Sequence, residues 1–283
     1  VELLIETPLD TKIPEKALNS CPPQKWISIM RGRNLQPGTI LTGKFSELIN
    51  IKATVLEIYE SKRVVNLEWE PANLTLSELL EEIGKIPLPE YIKRQPILQD
   101  RIKYQTVFAR NEGSIAAPTA GLHFTNELNE KLLKSGIDIL ELTLHVGSGT
   151  FVPLKTSIVD EHKMHSEQFQ IDINFLKKLN ESLINKRKII ATGTTTVRTL
   201  ESLYWLGISE ISDLNKIKIN QWVWRNANSK KGVIQAIERL IGFMEDNNIT
   251  NLIGETQLMI VPGYEFRLID GMITNFHLPK STL

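Results

Sequence analysis

Every one of the chain's five histidines lies in a short segment of small and hydroxyl-bearing residues. These segments are Ala116-Ala-Pro-Thr-Ala-Gly-Leu-His123-Phe, Leu144-His145-Val-Gly-Ser-Gly-Thr-Phe, Glu161-His162-Lys-Met-His165-Ser-Glu167 and Thr274-Asn-Phe-His277-Leu-Pro-Lys. Ala191-Thr-Gly193-Thr-Thr-Thr196-Val-Arg198-Thr-Leu-Glu201 has the same texture without a histidine. Imidazole exchanges protons near neutral pH. Glycine turns and threonine hydroxyls bring backbone N–H groups and O–H groups close to a ligand. Both together, on loops held by a scaffold, are how an active site is built. An enzyme is therefore expected.

Each segment also has a plainer explanation. Gly193-Thr194-Thr195-Thr196 reads as a turn opening a helix, whose free N–H groups suit a phosphate or carboxylate. An ordinary N-cap has the same appearance. Arg198 and Glu201 stand three apart, so they could form an intrahelical pair worth tenths of a kcal/mol. Their place after a strand favours a site, because ligands of open α/β sheets bind at the carboxyl edge. His145 follows a strand, and Gly147 and Gly149 form either a ligand turn or a bulge; no dinucleotide fingerprint is present. His162 and His165 with Glu161 and Glu167 suggest a metal. The H-E-x-x-H pattern and cysteine partners are missing, so no metal is expected and acid–base or hydrogen-bonding roles are favoured; a solvated charge cluster is the alternative. Thr119 and Gly121 let a ligand or a neighbouring segment approach, and His123 is either catalytic or a satisfied core histidine. His277 and Lys280 close the series, Lys280 as an anion contact or a plain surface lysine. Lys93, Arg94, Arg101, Lys103 and Arg110 interleave with Tyr91, Tyr104 and Phe108. Basic plus aromatic is the composition of an RNA-facing surface, although many such stretches are only solvated faces.

Certain classes are excluded by composition. Thirty-three basic residues balance 33 acidic ones, so no global basic field draws in nucleic acid and any RNA contact must be local. Cys21 is the only cysteine, which rules out an internal disulfide and fits a reducing cytoplasm. No apolar run is long enough to span a bilayer and no secretory pattern is present, so no membrane partner is expected. The chain opens on Val1-Glu-Leu-Leu-Ile and stops at Pro279-Lys-Ser-Thr-Leu283, which reads as part of a longer protein.

Two kinds of pattern must position these residues. Over 1–75, strand-like runs at Val1–Ile5, Trp26–Met30, Thr39–Thr42, Ile51–Ile58 and Val64–Trp69 predict a small antiparallel β-barrel domain. Thr75, three residues before Glu78, predicts a capped helix. Over 76–283, helices at Asn126–Lys134, Asp172–Lys186, Val197–Leu206 and Lys231–Asn247 alternate with strands at Asp138–Leu144, Lys188–Thr192, Gln257–Val261 and Met272–Thr274. That alternation predicts a layered α/β/α domain with a mostly parallel sheet.

Eight strings in order resemble the motifs of one family. They are Pro87-Leu-Pro-Glu-Tyr-Ile-Lys-Arg94, Tyr104-Gln-Thr-Val-Phe-Ala109, Ala116-Ala-Pro-Thr-Ala-Gly-Leu-His-Phe-Thr125, Leu144-His-Val-Gly-Ser-Gly-Thr-Phe151, Glu161-His-Lys-Met-His-Ser-Glu167, Gly193-Thr-Thr-Thr-Val-Arg-Thr-Leu-Glu-Ser202, Pro262-Gly-Tyr-Glu-Phe-Arg267 and Thr274-Asn-Phe-His-Leu-Pro-Lys-Ser-Thr-Leu283. The family is the S-adenosylmethionine:tRNA ribosyltransferase-isomerases of queuosine biosynthesis. The resemblance implies an α/β domain with an inserted β-barrel. It implies transfer and isomerisation of the ribosyl part of S-adenosylmethionine, a co-substrate, onto the aminomethyl-deazaguanine base at the tRNA wobble position. Epoxyqueuosine-tRNA is the implied product, with adenine and methionine released. No further cofactor is expected, and a monomer is. The chain departs from the family by lacking segments before the barrel and after the last motif, and by a longer stretch at about 207–252. On this reading His123, His145, His165 and Glu201 are the catalytic candidates. Thr119, Gly121, Gly147, Gly149, Thr194, Thr195, Thr196, Arg198, His277 and Lys280 are the substrate-binding ones. The residues leave open which imidazole is base and which is acid. An ordinary S-adenosylmethionine-dependent RNA methyltransferase lacks support from any Gly-rich loop after a first strand. A non-catalytic tRNA-binding protein on the same fold would not need five motif histidines.

Overall fold

A computed structural model describes the chain apart from residues 12, 60–61, 89–91, 93, 98, 111–112, 148–157, 210, 212–216, 227–231 and 278–283. It divides into two compact units: Val1–Arg101 with Arg110–Ile115, and Ile102–Ala109 with Ala116–Leu283.

The first unit holds β1 (Glu2–Pro8), α1 (Pro14–Leu18), β2 (Gln24–Arg31), β3 (Ile40–Lys44), β4 (Asn50–Tyr59), β5 (Lys62–Glu70) and α2 (Leu76–Ile83). Alternation along β5 sends Val65, Leu67 and Trp69 to one face, where Trp26, Ala53 and Ile51 stand opposite them across the ladders. All five expected strands are present and all pair antiparallel, in the order β1-β2-β5-β4-β3. The expected barrel is not. Among the described residues β1 and β3 are free edges, and the sheet stays open. Its apolar face is covered instead by Ala17 and Leu18 of α1 and Leu76 and Leu79 of α2, burial that closure would otherwise have supplied. The expected domain boundary at 75 moves for the same reason, since α2 belongs to this core. Its capping box is complete, with Glu78 N–H donating to Thr75 Oγ1 at 3.3 Å and Thr75 N–H to Glu78 Oε2 at 2.8 Å.

In chain order the remaining elements are α3 (Asp100–Lys103), α4 (Asn126–Lys134), β6 (Thr143–His145), β7 (Glu167–Asp172), α5 (Ile173–Ile184), β8 (Ile190–Thr192), α6 (Thr194–Ile208), β9 (Lys218–Ile219), α7 (Val233–Asp246), β10 (Asn251–Thr256) and β11 (Gly271–Ile273). A four-stranded sheet runs β6-β7-β10-β9, and β8 pairs with β11 in a separate ribbon. The mixed α/β class stands, but the expected mostly parallel sheet does not. β6/β7 and β7/β10 are antiparallel; only β10/β9 and β8/β11 are parallel. The cause is β7, a strand concealed at the end of the Glu161–Glu167 motif. Phe169 and Ile171 are fully buried there while Gln168 and Gln170 alternate with them. β7 slots between β6 and β10 and runs against both.

The second unit's core is built from Phe169, Ile171, Leu176, Leu203, Tyr204, Ile237 and Leu240 among others, with α6 buried almost all round. The helices α6 and α7 meet so closely that a Cβ on Gly207 would lie 2.1 Å from the carbonyl oxygen of Ala236. A Cβ on Gly242 in α7 would meet nothing within 4 Å. Gly207→Ala should therefore destabilise the protein by about 1–3 kcal/mol through overpacking. Gly242→Ala should stabilise it by about 0.5–1 kcal/mol through helix propensity. Urea unfolding of the two variants checks the opposite signs.

Candidate active site

One edge of the four-stranded sheet gathers the chemistry. β6 ends there at His145, β10 at Thr256 and β9 at Ile219, while β7 begins there at Glu167; the registers pair His145 with Gln168, and Thr256 with both Glu167 and Ile219. The start of α6 joins this edge. Gly193 takes φ 94°, a conformation that favours glycine, and its N–H donates to Ile273 O at 2.8 Å. α6 follows at once, and Arg198 reaches back to the sheet. Its Nη1 donates to Glu167 Oε2 at 2.6 Å, Nε to Leu258 O at 2.8 Å, and Nη2 to His165 O and Thr256 O at 3.3 Å each. Glu167 turns its other oxygen to His165 Nε2 at 3.1 Å and accepts from Thr195 Oγ1 at 3.4 Å. Burial pulls the Arg198 pKa down, and the charge of Glu167 opposes it.

Glu201 points elsewhere. Its carboxylate accepts from Tyr264 O–H at 2.8 Å and from the backbone N–H groups of Arg267, Leu268 and Ile269 at 2.8, 2.9 and 3.2 Å. Burial first, and then the Glu201 charge, push the Tyr264 pKa far up, so the phenol stays a donor. Glu201 is fully buried and Arg198 is 6% exposed. Neither the expected catalytic role of Glu201 nor the expected ligand contact of Arg198 fits this arrangement. Both side chains are held by protein partners, and they do not pair with each other.

Histidine-bearing segments converge around the α6 start. Ala120 lies beside Gly193, 3.8 Å from where a Cβ would sit, and the Ala116 N–H donates to Val146 O at 3.3 Å. Exposed His123 shares a 2.5 Å hydrogen bond between Nε2 and Asn275 Oδ1, tying its turn to the segment just after β11. His145 is half-buried and its buried Nδ1 has no partner among the described residues. Burial lowers its pKa, so it is neutral at neutral pH and able to accept a proton. Burial, then the neighbouring His165, also lowers the pKa of His162.

Thr119, Thr194 and Thr196 remain partly exposed, Gly147 has open space around it, and Thr195 is buried. Gly121 is a packing glycine, since a Cβ there would lie 3.0 Å from Thr106 Cγ2. His277 is exposed. Gly149, Lys280 and Lys93 lie outside the described residues. Among the described residues, no group of three His, Cys, Asp or Glu side chains could hold a metal ion.

Of the basic stretch, Arg94 forms a two-pronged pair with Asp100, both contacts at 2.7 Å. Arg101 donates to Glu81 O and Gly84 O at 3.0 and 3.4 Å, at the end of α2. Lys103 and Arg110 are exposed.

Two contacts that shape the site are absent from the sequence reading. Gln221 clamps the histidine segment, donating to His162 O at 2.7 Å and accepting from Met164 N–H at 2.9 Å. Glu167 is visible in the motif, but its pairing is not. The period-two pattern of Phe169 and Ile171, extended back to Glu167, would have shown that its side chain faces inward.

The sequence pattern of the queuosine biosynthesis proteins matches residues 2–283. The chain belongs to that family. Among relatives, the S-adenosylmethionine:tRNA ribosyltransferase-isomerase of Halothermothrix orenii is 35% identical over 277 residues, 98% of this chain and 68% of the relative. The protein of that name from Finegoldia magna is 39% identical, over 92% of this chain and 62% of the relative. That from Thermotoga petrophila is 42% identical, over 77% and 51%. The chain thus spans between half and about two thirds of the length of these relatives. A crystal structure of S-adenosylmethionine tRNA ribosyltransferase from Thermotoga maritima is 25% identical over 91% of this chain and 57% of that one, with a TM-score of 0.33, too low to bear on the fold.

Family membership leaves the role of Arg198 to be decided by its contacts. Arg198→Met removes the guanidinium and strands a buried carboxylate, which should cost about 3–5 kcal/mol of stability. Thermal and urea unfolding measure this. Unchanged stability together with weakened S-adenosylmethionine binding would restore Arg198 as a ligand contact.

Proposed function

We propose that the protein transfers and isomerises the ribosyl moiety of S-adenosylmethionine onto tRNA, as the names of its relatives describe, with the aminomethyl-deazaguanine base at the wobble position as the acceptor. Epoxyqueuosine-tRNA is the product, and adenine and methionine leave. The observation that supports this reading is that His145 ends β6 and His165 precedes β7 at one end of the four-stranded sheet, while the segment carrying His123 packs through Ala120 beside the glycine turn that opens α6.

The chemistry suits these groups. A sulfonium makes the protons on the neighbouring ribosyl carbon acidic. A base removes one, the sugar ring opens, and adenine departs more readily when an acid protonates it. His145, neutral and half-buried, is assigned the base. His165 or His123 is assigned the acid. The N–H groups and hydroxyls of Thr194 and Thr196 at the α6 start hold the methionine carboxylate in place of Arg198. Thr119, Gly147 and His277 are assigned to the border of the same ligand. No metal or further cofactor takes part. The tRNA is held by Lys93, Arg94, Arg101, Lys103 and Arg110, and the protein works as a cytoplasmic monomer. No helix of the described residues is long and apolar enough to cross a membrane.

Product analysis on the full-length protein tests the reaction. Adenine and methionine released in step with tRNA modification are expected; S-adenosylhomocysteine would mark a methyltransferase, and no turnover a binding protein. The RNA surface is tested separately. Lys103→Ala and Arg110→Ala should each flatten the salt dependence of tRNA affinity by roughly one counterion. An unchanged slope at unchanged affinity would mean that these two face plain solvent.

A further inference from the structure

We infer that Glu167 is a positioning residue for His165, fixing the ring so that Nε2 keeps its proton toward the carboxylate and Nδ1 is the atom that exchanges a proton with the ligand. The inference rests on the ribosyl-transfer reading for its kinetic test, but not for its structural one.

The geometry over-determines the contact. Glu167 is 1% exposed, and its Oε2 is held by Arg198 Nη1 at 2.6 Å. The same guanidinium donates to the backbone carbonyl of His165 at 3.3 Å. One cation therefore fixes both the carboxylate and the main chain that carries the ring. Between these two fixed points, Glu167 Oε1 stands 3.1 Å from His165 Nε2. An ionised carboxylate beside a guanidinium has no proton to give, so the imidazole must be the donor. That selects the Nε2–H tautomer and leaves the lone pair on Nδ1. The His165 side chain is 18% exposed, whereas that of Glu167 is 1% exposed. The ring can therefore meet a ligand that the carboxylate cannot reach. A carboxylate that orients an imidazole without touching substrate is a recurrent device in acid–base catalysis.

A carboxylate serving only as counter-ion to Arg198 would stabilise the fold equally well, so stability alone decides nothing. The direct test is ¹⁵N NMR of histidine-labelled full-length protein, at a pH where the ring is neutral. The Nε2–H pattern is expected for His165; the Nδ1–H pattern overturns the inference. The functional test is a double-variant cycle with Glu167→Gln and His165→Gln, read by adenine release. Each single variant should lower kcat by about 10²-fold or more, with KM for S-adenosylmethionine little changed. The double variant should be no slower than His165→Gln alone. Losses that multiply in the double variant, or a folded Glu167→Gln protein with full kcat, would overturn the inference. If Glu167→Gln does not fold, the NMR pattern of the unaltered protein decides. Failure of the unaltered protein to release adenine would sink the ribosyl-transfer reading and leave the tautomer measurement standing.

Discussion

A guanidinium and a carboxylate buried together at the edge of a sheet set the terms for the rest of the second unit. Removing either charge from water costs several kcal/mol, and only near-complete hydrogen bonding offsets that. Arg198 and Glu167 achieve it. The guanidinium takes three backbone carbonyls in addition to the carboxylate, and the carboxylate takes a threonine and a histidine in addition to the guanidinium. These partners come from α6, β7, the end of β10 and the segment after it. Four pieces of chain are thereby held at one point. Ser202, one turn further along α6, extends the seam by bonding Arg198 O at 2.6 Å and Thr256 Oγ1 at 2.7 Å. Glu201 makes a second such anchor to the 264–269 segment. Arg198, Glu201 and Ser202 are tolerated in a helix buried on nearly every side because each meets fixed partners; the buried Thr199 hydroxyl has none among the described residues.

The arrangement separates scaffold from chemistry. Charged groups that the protein satisfies internally lie beneath the sheet edge. Groups left partly exposed lie at it: His145, His165, and Thr194 and Thr196 at the start of α6. The His145 ring stands among these at the end of β6, its buried Nδ1 without a partner among the described residues. Such a division is what a reaction driven by proton transfer needs, since the imidazoles must be held still while remaining open to ligand.

Local structure was legible in the sequence where a local rule governs it. The cap at Thr75 marks the start of α2, because its bond closes within three residues. Alternation located all five strands of the first unit. What it could not show was whether that sheet closes, because the answer depends on α1 and α2 competing for its apolar face. In the second unit, β7 was hidden by its charged first residue, and without it the remaining pattern reads as parallel. The site divides in the same way. The histidine and threonine motifs were evident from composition. The directions of Arg198 and Glu201 were not, since spacing along a helix cannot say which side meets solvent when neither does. Glu167 and Gln221 depend on partners 31 and 57 residues away, beyond any local pattern.

The central claim is that the edge formed by β6, β7 and the start of α6 is where S-adenosylmethionine is consumed. The most direct measurement is a crystal structure of the full-length protein with a non-reactive S-adenosylmethionine analogue. The analogue's carboxylate is expected against the N–H groups of Thr194 and Thr196 at the start of α6. Its ribosyl carbon should lie within hydrogen-bonding reach of at least one of His123, His145 and His165. An analogue bound only on the open sheet of the first unit, or in the second unit away from all three imidazoles, would contradict it.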